Sequence, residues 1–149
     1  MNVYDLLKAD HKKVGAILEK LEATTERALK TREELFSQLD GELEVHAAIE
    51  EQIFYPVLKQ AEETRDITLE AFEEHRIVKE LLKELGSTPK DSEQWTAKLT
   101  VLKENVEHHV EEEEGEMFKK ARKVLTEQEA EDLGARMEAA KNKLSATAR

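Results

Sequence analysis

Apolar residues recur along this chain at alternating spacings of three and four, the period of an amphipathic helix, with no strict apolar/polar alternation of the kind that marks a half-buried strand. Leu7, His11, Val14, Leu18 and Leu21 form the first stripe, which predicts a helix opening near Asn2, a good capping residue, and running to about Leu29. Thr31 with Glu34 three residues on has the form of a capping box for a second helix, whose inward face reads Leu39, Leu43, His46, Glu50, Ile53 and Val57. Pro56 is expected to kink or loosen its last turns, and the polar run Glu62 to Asp66 to connect it to the third helix. That helix carries Ala71, His75, Val78 and Leu82 in line and should stop at Gly86, with Ser87-Thr88-Pro89 as the turn beyond. Asp91 paired with Gln94 suits the cap of a fourth helix, whose face runs Trp95, Leu99, Leu102, Val106, His109 and Glu113. Thr126 and Glu129 form a further capping box before a short fifth helix with a narrow stripe of Leu133, Met137, Ala140 and Leu144; the tail Ser145 to Arg149 is expected to fray.

These elements predict an all-α fold, an up-down-up-down four-helix bundle over about residues 2–125 with a short additional C-terminal helix over about 127–145. With 5 Gly and 2 Pro the chain has few helix breakers, and its 149 residues suit a single domain, 1–149, able to bury one core without covalent staples.

The histidines change the picture. Four of the 5 fall one apiece on the four bundle helices, each within the apolar stripe: His11, His46, His75 and His109. His46 and His109 are each followed four residues later by a glutamate, Glu50 and Glu113, so imidazole and carboxylate stand side by side on one helix. One histidine on an apolar face is usually a hydrogen-bonded core residue. Four of them converging with two glutamates is different, because a buried carboxylate costs several kcal/mol unless it is paired or bound to a cation. The absence of cysteine excludes disulfides, thiolate zinc and cysteine-ligated iron–sulfur clusters, leaving nitrogen and oxygen ligands suited to iron, manganese or zinc. Six donors are too many for one tetrahedral zinc, so two metals are expected, with about two of about 12 octahedral positions left open for a small ligand. His108 lies about 100° around the helix from His109 and should miss the site. The run Glu111 to Glu114, apart from any ligand in it, reads as a solvated acidic face.

Charge narrows the partners. A net charge of −11, from 34 acidic and 23 basic residues, repels phosphate backbones and anionic lipid heads, and no basic patch interleaved with aromatics is present; neither nucleic acid nor membrane is expected as a partner. No stretch approaches the roughly 20 apolar residues of a membrane span, and the N-terminus turns charged at once without a basic-then-apolar leader, so a soluble, cytoplasmic protein is expected.

At Asp10-His11, His46-Ala-Ala-Ile-Glu50 with Phe54-Tyr55-Pro56, Glu74-His75, and His108-His109-Val-Glu-Glu-Glu113, the sequence resembles the hemerythrin-like, or HHE cation-binding, family of non-haem di-iron four-helix bundles. The resemblance implies two non-haem iron ions joined by an oxo or hydroxo bridge, with His11, His46, His75 and His109 as terminal ligands and Glu50 and Glu113 as bridges. Oxygen-carrying hemerythrins place a second histidine four residues after the first on the third helix; here that position is Lys79, so a five-histidine carrier is not spelled. They also place an aspartate five residues after the fourth-helix histidine, whereas this chain offers Glu113 at four and Glu114 at five. The second bridge stays open between these two, with helical geometry favouring Glu113. Dioxygen, peroxide or nitric oxide is the implied small ligand. Reversible binding, redox turnover as an enzyme of oxidative or nitrosative stress, and iron sensing or holding through metal-dependent folding are the activities this allows.

Overall fold

A computed structural model describes residues 1–147, and every regular element among them is helical. The elements are α1 (Val3–Glu22), α2 (Leu29–Ile49), α3 (Tyr55–Gln60), α4 (Glu62–Ser87), α5 (Glu93–Glu112), α6 (Phe118–Val124) and α7 (Glu127–Thr147). Two π-helical turns, Glu50–Phe54 and Glu113–Met117, join α2 to α3 and α5 to α6 as continuous rods. No helix among the described residues is long and apolar enough to cross a membrane.

Side-chain hydroxyls set several boundaries that apolar spacing does not reveal. Asn2 caps α1, its side chain accepting from the Asp5 amide at 2.9 Å. The helix ends at Glu22 rather than near Leu29, because the Thr24 hydroxyl takes the Leu21 carbonyl at 2.5 Å and so competes with the helical ladder. The buried Arg32 then secures this loop, donating to Thr24 Oγ1 at 2.9 Å, to the Lys90 carbonyl at 2.5 Å and to Thr96 Oγ1 at 3.1 Å while lying over the Trp95 ring. α2 accordingly starts at Leu29, ahead of the expected Thr31 cap, and Ala28 before it supplies no capping side chain. Between α3 and α4 the break is the single extended residue Ala61; Glu62 to Asp66, expected as the connection, are the first turns of α4. The buried Thr64 hydroxyl donates to the Leu58 carbonyl at 2.5 Å and closes that gap. α4 passes through Gly86 to Ser87, and Ser92, not Asp91, caps α5 by accepting from the Trp95 amide at 3.2 Å.

The π turns change which residues face inward. On α2 the inward face Leu39, Leu43, His46, Glu50 is buried as its spacing predicts, but beyond Glu50 the buried residues are Phe54, Tyr55 and Leu58, while Ile53 and Val57 are half-buried. A π turn holds one extra residue, so the inward face slips by one position. The loosening expected near Pro56 takes this form, with the proline just past the turn in α3, where its missing N–H is tolerated. Proline is not the cause, since Glu113–Met117 makes the same slip without one and buries Met117, Phe118 and Ala121.

Apolar packing lies on both sides of the histidine level. One cluster joins the start of α1 to α3, α6 and α7; the other joins the second half of α1 to α2, α4 and α5. α7 is 21 residues long, as long as α2 rather than short, and packs on α1 and α2. Its capping box forms, with the Glu129 amide on Thr126 Oγ1 at 3.1 Å and the Thr126 amide on Glu129 Oε1 at 2.9 Å. Helical structure continues through Ser145 to Thr147 where fraying was expected; 148 and 149 lie outside the described residues.

Gly134 of α7 rests directly on the start of the chain: a Cβ there would stand 2.7 Å from the Asn2 carbonyl carbon and 2.9 Å from the Val3 nitrogen, and would also strike the Met1 carbonyl. Gly41, within α2, has nothing within 4 Å of the same position. Gly134→Ala is therefore expected to destabilise by about 1–3 kcal/mol through overpacking, although alanine is the better helix former. Gly41→Ala should instead stabilise by roughly 0.5–1 kcal/mol. Urea denaturation of the two variants checks the opposite signs.

Candidate metal centre

The six residues singled out by sequence meet in one buried layer, none more than 7% exposed. α1 supplies His11, α2 His46, α4 His75 and α5 His109; Glu50 and Glu113 each open a π turn. The imidazoles form two edge-on pairs, His11 with His46 at 4.9 Å between ring centres and His75 with His109 at 4.8 Å. Each carboxylate reaches one ring of each pair. Glu50 Oε1 is 3.0 Å from His46 Nε2 and 3.1 Å from His75 Nε2. Glu113 presents Oε1 to His11 Nε2 at 3.1 Å and Oε2 to His109 Nε2 at 3.3 Å.

The donor chemistry fits a cation. His11 Nε2, His46 Nε2, both oxygens of Glu50 and Oε1 of Glu113 are buried and make no hydrogen bond. Buried polar atoms are normally satisfied, so a cluster left over in one layer calls for a partner that accepts several lone pairs at once. One ligand atom from each of His11, His46, Glu50 and Glu113 lies within 4.8 Å of the others, and Glu50, His75 and His109 gather as closely.

Every imidazole is also held from behind, each Nδ1–H donating to a carboxylate. His11 donates to Glu114 at 2.6 Å, His46 to Asp10 at 3.0 Å, His75 to Glu51 at 2.8 Å and His109 to Glu74 at 2.6 Å. Such partners fix the tautomer that leaves Nε2 free to bind a metal. Their sequence positions follow one rule: each acid is the chain neighbour of a residue in the layer but serves the histidine of a different helix. Asp10, beside His11, holds His46; Glu51, beside Glu50, holds His75; Glu74, beside His75, holds His109; Glu114, beside Glu113, holds His11. The arrangement separates Glu113 from Glu114, placing the former in the layer and the latter, 33% exposed at its side chain, behind His11. Lys79 pairs with Glu51 at 3.0 Å, and the exposed His108 lies outside the layer, its Nε2 3.2 Å from Glu112 and 3.6 Å from Glu74.

Tyr55 is the residue that sequence spacing missed. Its phenol donates to Glu113 Oε2 and lies 3.3 Å from Nε2 of both His75 and His109, so it sits directly against the layer. The stripe read on α2 passes through Ile53 and Val57 and leaves Tyr55 outside; only the π turn brings it in. Burial and the charges of Glu113 and Glu50 push its pKa well above the ordinary phenol value, so it is a proton donor here.

Without a cation, protons balance the layer's charge. Burial pushes His46 down, but the Glu50 charge and the Asp10 hydrogen bond outweigh it and raise the imidazole to about 10. Burial likewise opposes the shift at His75 and His109, and contacts with Glu50 and Glu51, and with Glu113 and Glu74, carry both upward. Burial would push Glu113 up, yet its contacts with Glu50, His109 and His11 hold it well below the usual carboxylate range.

A cavity of about 640 Å³ opens onto this layer. His11, His46, His75 and His109 border it, Val14, Phe36, Leu43, Val78, Leu82 and Val106 give it apolar walls, and Asp40, Glu44, Lys79 and Lys83 also line it.

A helical bundle with a buried histidine and glutamate layer is the architecture of a cation-binding protein, and comparison with known proteins agrees. The family model of the hemerythrin HHE cation-binding domain matches residues 2–121. An uncharacterized protein of Mycobacterium tuberculosis is 31% identical over 140 residues, covering 93% of this chain and 84% of that one. A DNA nickase of Nostoc sp. is 27% identical over 144 residues, 97% of this chain but 40% of the relative. The crystal structure of a hemerythrin HHE cation-binding domain-containing protein from Mycobacterium kansasii matches with a TM-score of 0.88 and 29% identity, over 99% of this chain and 90% of that one. The chain belongs to the hemerythrin HHE cation-binding domain family.

The raised imidazoles give a pH signature. His46 rises on folding from 6.5 to about 10, so the stability it lends the cation-free protein is full below about pH 6.5 and lost as pH climbs through about 10. A bound metal displaces those protons, and its affinity strengthens as pH rises. The gain in Tm on adding metal should therefore widen between about pH 6 and pH 9, as read by calorimetry at matched ionic strength. A gain that narrows with pH would contradict the proton–metal exchange.

Proposed function

We propose that the layer holds two iron ions, one between His11 and His46 and the other between His75 and His109, with Glu50 and Glu113 bridging them. The observation that supports this is the crossing of the carboxylates: each reaches an imidazole of both pairs, which is what a bridge between two metals needs. Nitrogen and carboxylate oxygen ligands suit iron, which when bound would supply redox chemistry toward dioxygen, peroxide or nitric oxide. Around it, we infer an up-down-up-down bundle with α7 docked on it, forming one domain over the described residues 1–147.

The chain's own groups suit such a reaction. The cavity, apolar on Val14, Phe36, Leu43, Val78, Leu82 and Val106, gives a small molecule a route to the layer. Tyr55 holds a proton at Glu113 Oε2, close to the His75 and His109 nitrogens. Lys79, standing where oxygen carriers have a further histidine, is turned to Glu51 and leaves that side of the layer without a fifth imidazole. This favours turnover over simple carriage, and iron holding without turnover is the alternative. The net charge of −11 opposes a phosphate backbone, so the nicking of DNA named for the larger Nostoc protein has no support here.

Anaerobic loading should yield close to two irons per chain by elemental analysis. Glu50→Ala should lose most of that metal, and His108→Ala should keep it. Optical spectra after adding dioxygen or peroxide then separate the activities: rapid bleaching with consumption of peroxide marks turnover, a stable reversible band marks carriage, and no change marks holding. One iron or none in the parent protein would overturn the di-iron reading.

A further inference from the structure

α7 lies beyond residues 2–121, the stretch that the family model matches, yet one of its side chains reaches an acid directly behind the histidine layer. Lys141 Nζ donates to Asp10 Oδ1, and Asp10 Oδ2 accepts from His46 Nδ1 at 3.0 Å. The opposite nitrogen of that ring, Nε2, is 3.0 Å from Glu50. An unbroken polar line thus runs from the outer helix to the centre of the bundle.

The four carboxylates behind the histidines are not equivalent. The side chains of Glu51, Glu74 and Glu114 are 24%, 23% and 33% exposed, so water shares the solvation of their charge. Asp10 is 4% exposed. A carboxylate buried to that degree needs an ionic partner as well as a hydrogen bond, and with His46 engaged on one oxygen the other is met by Lys141. Glu51 also has a lysine, but Lys79 comes from the same helix as the histidine it supports and its side chain is 57% exposed. At Asp10 the cation arrives from a separate helix, held in place by the packing of Leu133 and Met137 and by the close approach of Gly134 to the start of α1.

We propose that Lys141 is a positioning residue for the metal centre: by anchoring Asp10 it holds His46 in the tautomer and orientation that present Nε2 to the cation, making α7 a working part of the site. This rests on the reading that the layer binds metal. Lys141→Met keeps much of the side chain's length and apolar stem but leaves Asp10 with one partner, free to turn and to release His46 Nδ1. Losing such support typically weakens a metal site by 10–100-fold.

Cobalt(II) serves as the probe, its ligand-field band giving both occupancy and, after excess EDTA is added, the release rate. Lys141→Met should release cobalt about tenfold faster than the parent protein, and Lys141→Arg, which restores the cation, should recover most of the difference. In an Asp10→Asn background, Lys141→Met should add nothing, because the lysine acts through that carboxylate. Leu133→Ala, which loosens α7 but retains Lys141, is the control for docking alone; it should lower Tm with a smaller effect on release. Equal release by Lys141→Met and the parent, an undiminished effect in Asp10→Asn, or a Leu133→Ala effect matching that of Lys141→Met would each overturn the proposal. A parent protein that takes up no cobalt or iron would instead bring down the metal reading itself.

Discussion

The structure turns on two carboxylates taken out of water. Glu50 and Glu113 are essentially unexposed, and a buried carboxylate without partners costs several kcal/mol, more than most single contacts return. The surrounding imidazoles are the response: His46, His75 and His109 are raised and can carry protons beside the carboxylates, and all four rings present nitrogens that could share a metal with them. Either way the charges tie together residues from α1, α2, α4 and α5. The apolar clusters to either side make a bundle possible, while the polar layer specifies how its helices face one another.

Both glutamates stand at the first position of a π turn. Histidine and glutamate four residues apart share a face only while the helix is regular, and His46 with Glu50 and His109 with Glu113 both satisfy that condition. Beyond each glutamate the extra residue rotates the helix, so that bulky aromatic groups rather than the next members of the stripe close the layer from below. Phe54, Tyr55 and Phe118 occupy those positions. π turns are a frequent device at functional sites, and here the same device is used once in each half of the bundle.

Much of this was legible in the sequence, for a physical reason: the ligands belong to the same 3.6-residue periodicity as the core. His11, His46, His75 and His109 could each be placed on an inward helix face by spacing, and Glu113 could be favoured over Glu114 by helical geometry. What stayed hidden depends on local backbone choices that spacing does not encode. Periodicity carried through Ile53 and Val57 because nothing in an apolar stripe marks a π turn, and Tyr55 was lost with it. The doublets Phe54-Tyr55 and Met117-Phe118, each beginning four residues after a glutamate, are the available signal, since either helix can bury both members only if its face slips. The ends of α1 and α4 were misplaced because Thr24 and Thr64 settle them by hydrogen-bonding to nearby carbonyls. The supporting role of the acids was not legible even where Asp10 and Glu74 stood in the quoted motifs, as each holds a histidine far away in sequence.

That last property bears on how the molecule assembles. The acids pass around the bundle from helix to helix, and the circle closes between His11 and Glu114, 103 residues apart. The tie from Lys141 to Asp10 spans 131. Contacts of such separation form only after most of the loop-closure entropy has been lost, so they belong late in folding. A growing chain therefore cannot close the circle until the turn after α5 has been made and has met α1. No single helix holds more than one of the four imidazoles, so the full set of clustered donors exists only in the completed bundle.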